Sequence, residues 1–219
     1  VQYLGRSFIN ICLQKVIMMN SIEIILASGS PRRKEILNNL KLYPRIIQPD
    51  IDESHKPNEK PHALVHRLSY EKSYAVAKNL DQGLIIGSDT IVVIDNQILT
   101  QPKTTAEAKA MLTAISGRTH QVLTGMTLIY QPNHEVFTQV AMTNVIMNPL
   151  TDAWIDNYVA TGEPMDKAGA YGIQGIGATL VNRIDGEYNT VVGLSVQTLM
   201  DGFRSLNLNY FDLIKQDRA

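Results

Sequence analysis

Cysteine and tryptophan each occur once in 219 residues, as Cys12 and Trp154, and neither sign of charge is in excess. A lone cysteine closes no internal disulfide and builds no zinc or iron–sulfur cluster, so the reducing cytosol is the expected setting. With 20 Lys+Arg against 21 Asp+Glu, the formal net charge is −1. The pI is near 6.6. Such a balance leaves no basic surplus to neutralise a phosphate backbone, and stable nucleic-acid binding is not expected. No apolar run nears the roughly 18–20 residues of a membrane span, because Arg6, Asn10, Gln14 and Lys15 break up the N-terminal patches. With no small-residue cleavage site following them, neither export nor anchoring is expected. Residues 1–20 carry no turn or cap signal ahead of Met18 and Met19. They read either as a loosely attached extension or as an extra surface helix.

What is present is a chain that is 44% hydrophobic, enough for a core of its own, and residues 21–219 read as one domain. Ile22 to Ala27 is a β-branched strand that turns through Ser28-Gly29-Ser30 into a helix from Pro31 to about Leu40. Ser30 suits its N-cap and Pro31 its first turn. Arg45 to Gln48 reads as a short strand, Asp50 to Pro61 as a polar loop, and Leu64, Leu68, Ala75 and Val76 as one face of a helix from Pro61 to Leu80. Leu84–Ile86 and Ile91–Ile94 read as buried strand, with Asp95-Asn96 turning a hairpin into Ile98-Leu99. Thr104 and Glu107 form a capping box for a helix to Ile115. Two long strands, Gln121–Ile129 and Val136–Met147, are joined at Pro132-Asn133. A helix capped by Thr151 runs to Ala160, and a Gly-dense loop spans Gly169 to Gly177. Ala178–Arg183 and Tyr188–Val192 are expected to pair across Asp185-Gly186 before a last helix from Val196 to Phe203. Hairpins and helical crossovers together predict an α/β fold with a mixed sheet.

Three segments carry chemistry. In Leu26-Ala27-Ser28-Gly29-Ser30-Pro31-Arg32-Arg33 a strand feeds a helix N-terminus whose free amides meet two guanidinium groups, an arrangement suited to phosphate. An ordinary capped helix with solvated arginines is the alternative, and the Walker ending is missing. In Gly87-Ser88-Asp89-Thr90 a carboxylate at the end of an apolar strand can bind a divalent cation or take a proton from water, or else bond to its own turn. In the segment Asp166 to Gly177 the glycines allow close backbone approach, Lys167 can neutralise phosphate, and the Gln174 amide offers both donor and acceptor to a base edge. A structural loop would look the same. Asp50, Asp52 and Glu53 read as solvated unless the fold brings Glu53 to Asp89. His62 and His66 lie one turn apart without the zincin glutamate, His55, His120 and His134 stand isolated, and Trp154 reads as core or interface.

Taken together, LASGSPRRKEIL, the IDE at 51–53, GSDT, SGRTHQVLTG at 116–125 and EPMDKAGAYGIQG resemble the Maf family of nucleotide pyrophosphatases, from about Ile22 to the final helix. The resemblance implies hydrolysis of a nucleoside triphosphate between its α and β phosphates, giving the monophosphate and pyrophosphate, with a divalent cation (Mg, Mn or Co). It also implies an elongated Maf/ITPase-like mixed sheet with flanking helices, two lobes around a nucleotide cleft, and a homodimer. Carried over by motif, Asp89 is the proton acceptor, and Ser28, Arg33, Glu53 and Lys167 line the phosphate and metal end, the metal falling to Glu53 and Asp89. Arg32, Thr90 and Gln174 match positions linked to base choice. Arg32 and Gln174 resemble the branch acting on dTTP and UTP; a branch acting on 7-methyl-GTP differs at both.

One position departs from the pattern. Gln101, in Thr100-Gln101-Pro102-Lys103, stands where the family motif has a lysine. A glutamine can hydrogen-bond a phosphate oxygen but cannot neutralise it. The departure keeps open a catalytically weak, nucleotide-binding regulator of cell division, or a shifted loop in which Lys103 reaches in instead.

Overall fold

The computed structural model describes residues 22–131 and 133–215. The reading of residues 1–20 as an extension lies outside the described residues. In chain order the elements are β1 (Ile24–Leu26), α1 (Pro31–Asn39), β2 (Arg45–Ile46), α2 (Pro61–Ala77), β3 (Gly83–Ile94), β4 (Gln97–Leu99), α3 (Thr105–Ile115), β5 (Thr119–Gln131) and β6 (Glu135–Met147). After them come α4 (Asp152–Ala160), three short 3₁₀ turns (Glu163–Asp166, Ala168–Ala170, Gly175–Leu180), β7 (Val181–Asp185), α5 (Tyr188–Val192), α6 (Val196–Ser205) and α7 (Tyr210–Lys215). The strands form one seven-stranded sheet in the order β2-β1-β3-β5-β6-β7, with β4 added to β3. β1 runs parallel to β2 and β3, and the remaining pairs are antiparallel. This is the mixed α/β sheet that the alternating signals predict.

β3 organises the molecule. It is twelve residues long and buried on both faces, so the Gly87-Ser88-Asp89-Thr90 segment is the middle of one strand and not the end of a short one. Side chains alternate across a strand. On one face Leu84 and Ile86 pack under α6 with Leu199 and Phe203, and Val92 and Ile94 pack under α3 and α4 with Leu112 and Ile155. On the other face Ile85 packs with Val76 of α2, and Ile91 and Val93 pack with Leu64, Val65 and Leu68. The apolar clusters thus part on both faces at residues 87–90, leaving a polar waist. At that waist one edge of β3 is also open: β1 pairs only with Leu84–Ile86 and β4 only with Val92–Ile94, while β5 fills the opposite edge.

Several local expectations change. Tyr188–Val192 is helix, not strand: the Glu187 carboxylate ahead of it bonds the Thr190 hydroxyl and the Val196 and Gln197 amides, which overrides β propensity. The hairpin expected between Ala178–Arg183 and Tyr188–Val192 therefore does not form: residues 178–180 close a 3₁₀ turn, and the strand that follows, Val181–Asp185, pairs with β6 instead. Ser30 makes no side-chain cap; Ser28 Oγ instead accepts from the Ser30 amide at 3.2 Å. Trp154 is half exposed and outside the core. The caps at Thr104 and Thr151 form as read. So does the hairpin at Asp95-Asn96, where positive φ at both residues matches the strand twist.

Candidate active site

The loops that leave the C-terminal ends of β1 and β2 meet the open edge of β3. Crevices at such strand ends are the usual ligand sites of open α/β sheets. From the first loop, Ser28 is buried and the Arg33 guanidinium spreads over three partners. Its Nη1 donates to Ser28 Oγ (3.0 Å), its Nη2 to Thr90 Oγ1 (3.2 Å) and its Nε to the Gly193 carbonyl (2.8 Å). Thr90 Oγ1 is held in turn by Thr124 Oγ1 at 2.9 Å. Burial pulls the Arg33 pKa below its ordinary value, the Asp89 charge opposes this and the Arg32 charge adds to it. An anion entering the site would relieve that cost.

Asp89 lies on the opposite face of β3 from Ser88 and Thr90, towards α2. It is 6% exposed, and its Oδ1 accepts from Lys72 Nζ at 2.7 Å. The same ammonium donates to Glu53 Oε2 at 2.9 Å. The fold therefore brings Glu53 to Asp89, the condition for Glu53 to be more than a solvated acid. Lys72 was not singled out in the sequence, although the signal is present: Leu64, Leu68, Lys72 and Val76 form one i+4 row, and a lysine in an apolar row needs a buried partner.

The Glu53 loop is pinned by Arg67 of α2, whose Nε and Nη2 grip both Glu59 oxygens at 2.6 and 2.8 Å. Arg67 also donates to Glu71 Oε2 at 2.8 Å and to the Ser54 carbonyl at 3.0 Å. The paired Arg67 fork holds the Glu59 carboxyl down at about 2.

Across the waist, Arg32 Nη1 meets Asp166 Oδ2 at 3.0 Å and Lys167 Nζ meets Asp166 Oδ1 at 2.6 Å. Burial opposes ionisation of Asp166, but the bonds from Lys167 and Arg32 outweigh it and lower its pKa. Gln101 Nε2 donates to the Asp166 carbonyl at 3.2 Å, so the departure from the motif reaches the same corner as Arg32 and Lys167. The Lys103 amide bonds Glu107 Oε2. Gln174 is half-buried and makes no side-chain hydrogen bond to Ser28, Arg33 or Thr90 among the described residues.

Two groups thus emerge: Ser28, Arg33, Thr90, Asp89, Glu53 and Lys72 at the open edge of β3, and Arg32, Lys167 and Gln101 gathered on Asp166. Among the described residues no three His, Cys, Asp or Glu side chains form a metal cage. Two carboxylates converging on one ammonium still fit a Mg²⁺-type cation, which binds through one or two carboxylates and completes its shell with substrate phosphates and water.

His120 is not isolated. Its Nε2 lies 2.7 Å from Tyr171 Oη, its ring meets Tyr171 edge-on, and its buried Nδ1 has no partner among the described residues. Burial drives the His120 pKa down to about 4.

A family model for "Maf-like protein" matches residues 23–206. The "dTTP/UTP pyrophosphatase" of Clostridioides difficile is 46% identical over 192 residues, 86% of this chain and 99% of that protein. The protein of the same name from Acetivibrio thermocellus is 48% identical over 187 residues, 82% of this chain and 93% of that one. That of Vibrio parahaemolyticus is 45% identical over 179 residues, 81% and 93%. Among solved structures, the Ham1 protein of Staphylococcus aureus is similar with a TM-score of 0.45 and 14% identity, covering 90% of this chain and 100% of that one.

Proposed function

The chain belongs to the Maf-like family, and on that premise we propose that it is a nucleoside triphosphate pyrophosphatase acting on dTTP and UTP. Water attacks at the anhydride between the α and β phosphates, that bond breaks, and the monophosphate and pyrophosphate leave. The observation that carries this reading is Asp89, buried in mid-strand with Oδ1 tied to Lys72. Its other oxygen accepts no hydrogen bond from the described residues and is left to accept a proton from water. Phosphoryl transfer asks little covalent chemistry of a protein and much electrostatic placement. Arg33, Ser28 and Lys72 supply that placement at the open edge of β3, and Lys167 from the group on Asp166. A divalent cation held by Asp89 and Glu53 would, when bound, polarise phosphate oxygens and offset their charge. Gln174 presents an amide whose donor and acceptor match the carbonyl and ring N–H of uracil or thymine, and Arg32 and Thr90 would share in that choice of base.

The cytoplasm suits a chain with a single cysteine. A homodimer is favoured by the outer edge of β6, where residues 135–143 pair with no strand on that side among the described residues; sedimentation would report the state directly. Release of pyrophosphate from a panel of triphosphates with Mg²⁺, Mn²⁺ or Co²⁺ tests the activity. dTTP and UTP are expected to be turned over in preference to GTP, 7-methyl-GTP and ATP.

A second reading, a weak enzyme that acts by binding nucleotide, is favoured by one observation, the neutral Gln101 beside Asp166. Gln101→Lys separates the two. A gain of roughly tenfold in kcat/KM, the scale of one charge-assisted hydrogen bond, would mark the native chain as the weakened form.

A further inference from the structure

Glu163 lies outside every group placed in the site above, yet its carboxylate is fully engaged. Oε1 accepts from Tyr158 Oη at 2.9 Å and from the Gly177 amide at 2.9 Å, and Oε2 accepts from the Ile176 amide at 3.0 Å. Tyr158 Oη also accepts from the Gly172 amide at 3.2 Å. The segment carrying Gln174 is thus pinned on both flanks, at Gly172 through Tyr158 and at Ile176 and Gly177 through Glu163. The glycines fit this design. A Cβ at Gly175, where φ is +68°, would stand 3.0 Å from Glu163 Oε2, and one at Gly172 would stand 2.8 Å from Lys167 Cε. Lys167 Nζ closes the ring by donating to the Glu163 carbonyl at 2.6 Å. Burial raises the cost of the Glu163 charge, but the two amides and the tyrosine outweigh it and hold the carboxyl ionised.

We propose that Glu163 is a specificity-determining positioning residue: its carboxylate fixes the backbone on which Gln174 reads the base. The inference rests on the pyrimidine reading of the site. It follows from valence. A carboxylate has acceptors only, and three donors point at it. A glutamine offers one oxygen and one NH₂, so Glu163→Gln must set a donor against the Ile176 amide or against the pair from Tyr158 and Gly177. One flank of the segment is released and Gln174 loses its register.

The test compares kcat/KM for dTTP and GTP in wild type, Glu163→Gln, Gln174→Ala and the double variant. Glu163→Gln is expected to lower the dTTP:GTP ratio at least about tenfold, chiefly through a higher KM for dTTP. Non-additivity is the signature of residues acting as one unit. In the Gln174→Ala background the same change is therefore expected to lower the ratio no further. Tyr158→Phe, which keeps the ring and removes both of its hydrogen bonds, is expected to move the ratio in the same direction and serves if Glu163→Gln does not fold. A ratio unchanged in both variants, or equal losses for dTTP and GTP, overturns the inference while leaving the pyrimidine reading intact. Wild type that releases no pyrophosphate, or shows no preference for dTTP, overturns both.

Discussion

Asp89 and Lys72 face each other because strand alternation turns Asp89 towards α2 while Ser88 and Thr90 turn the other way. Removing the ammonium leaves the Asp89 and Glu53 carboxylates without the one side-chain cation that bridges them. Lys72→Met is therefore expected to reduce kcat by about a hundredfold or more. It is also expected to destabilise the fold by about 3 kcal/mol or more, the cost of an unpaired buried charge; turnover assays and urea melts read the two effects separately. His120 carries a second prediction. Its folded pKa of about 4 lies below the ordinary 6.5, so the unfolded chain takes up a proton first as pH falls. Stability tied to His120 is whole above pH 6.5 and is lost from there down to pH 4, by up to about 3 kcal/mol. The urea midpoint at pH 7, 5.5 and 4.5 should fall accordingly, and His120→Gln should flatten that part of the curve. At this scale, sequence motifs named Ser28, Arg33, Asp89 and Glu53, which the fold does gather. Lys72 and Glu163 were given no role and His120 was read as isolated, because their partners lie 17, 14 and 51 residues away; only Lys72 leaves a local trace, as the one charge in an apolar i+4 row.

The reach of α2 to β3 depends on two strand positions without side chains. A Cβ on Gly125 of β5 would run into the Val65 carbonyl, and one on Gly87 would meet the Ser69 carbonyl at 2.8 Å. Glycine inside a strand commonly marks such close backbone approach. Between them, Ser69 Oγ meets Thr127 Oγ1 at 3.0 Å and Ser73 Oγ donates to the Thr127 carbonyl at 3.0 Å, so a polar stripe of the helix lies flat on the waist of the sheet. Gly125→Ala is expected to lift α2 away and cost about 1–3 kcal/mol or more of overpacking. It should also lower activity, since Lys72 rides on that helix; a lower thermal midpoint together with reduced kcat is the expected result. The other of the two glycines explains one misreading. Gly87 in sequence looks like the end of a strand, whereas here it is the place where a helix comes close to an unbroken one. α5 was hidden for a different reason: its β-branched residues follow an acid that caps the next helix, a tertiary arrangement no window of sequence contains.

Across the whole molecule, two apolar ends are joined through a polar middle. The Arg32–Asp166 pair, between α1 and the first 3₁₀ turn, ties the two sides of that middle together. No helix among the described residues is long and apolar enough to cross a membrane. The mixed sheet was legible because hairpin, cap and periodicity signals agreed along the chain. Where the cleft would lie was not, because it is set by the lengths of β1 and β4 relative to β3, and the five-residue gap between their pairings appears only once register is known. The most direct measurement is a phosphorus NMR time course of dTTP with Mg²⁺, in wild type and in Asp89→Asn. Thymidine monophosphate and pyrophosphate should accumulate in equal amounts, at least about a hundredfold more slowly in the variant. Orthophosphate with thymidine diphosphate would contradict the reaction, and an Asp89→Asn rate equal to wild type would contradict the residue to which it is assigned.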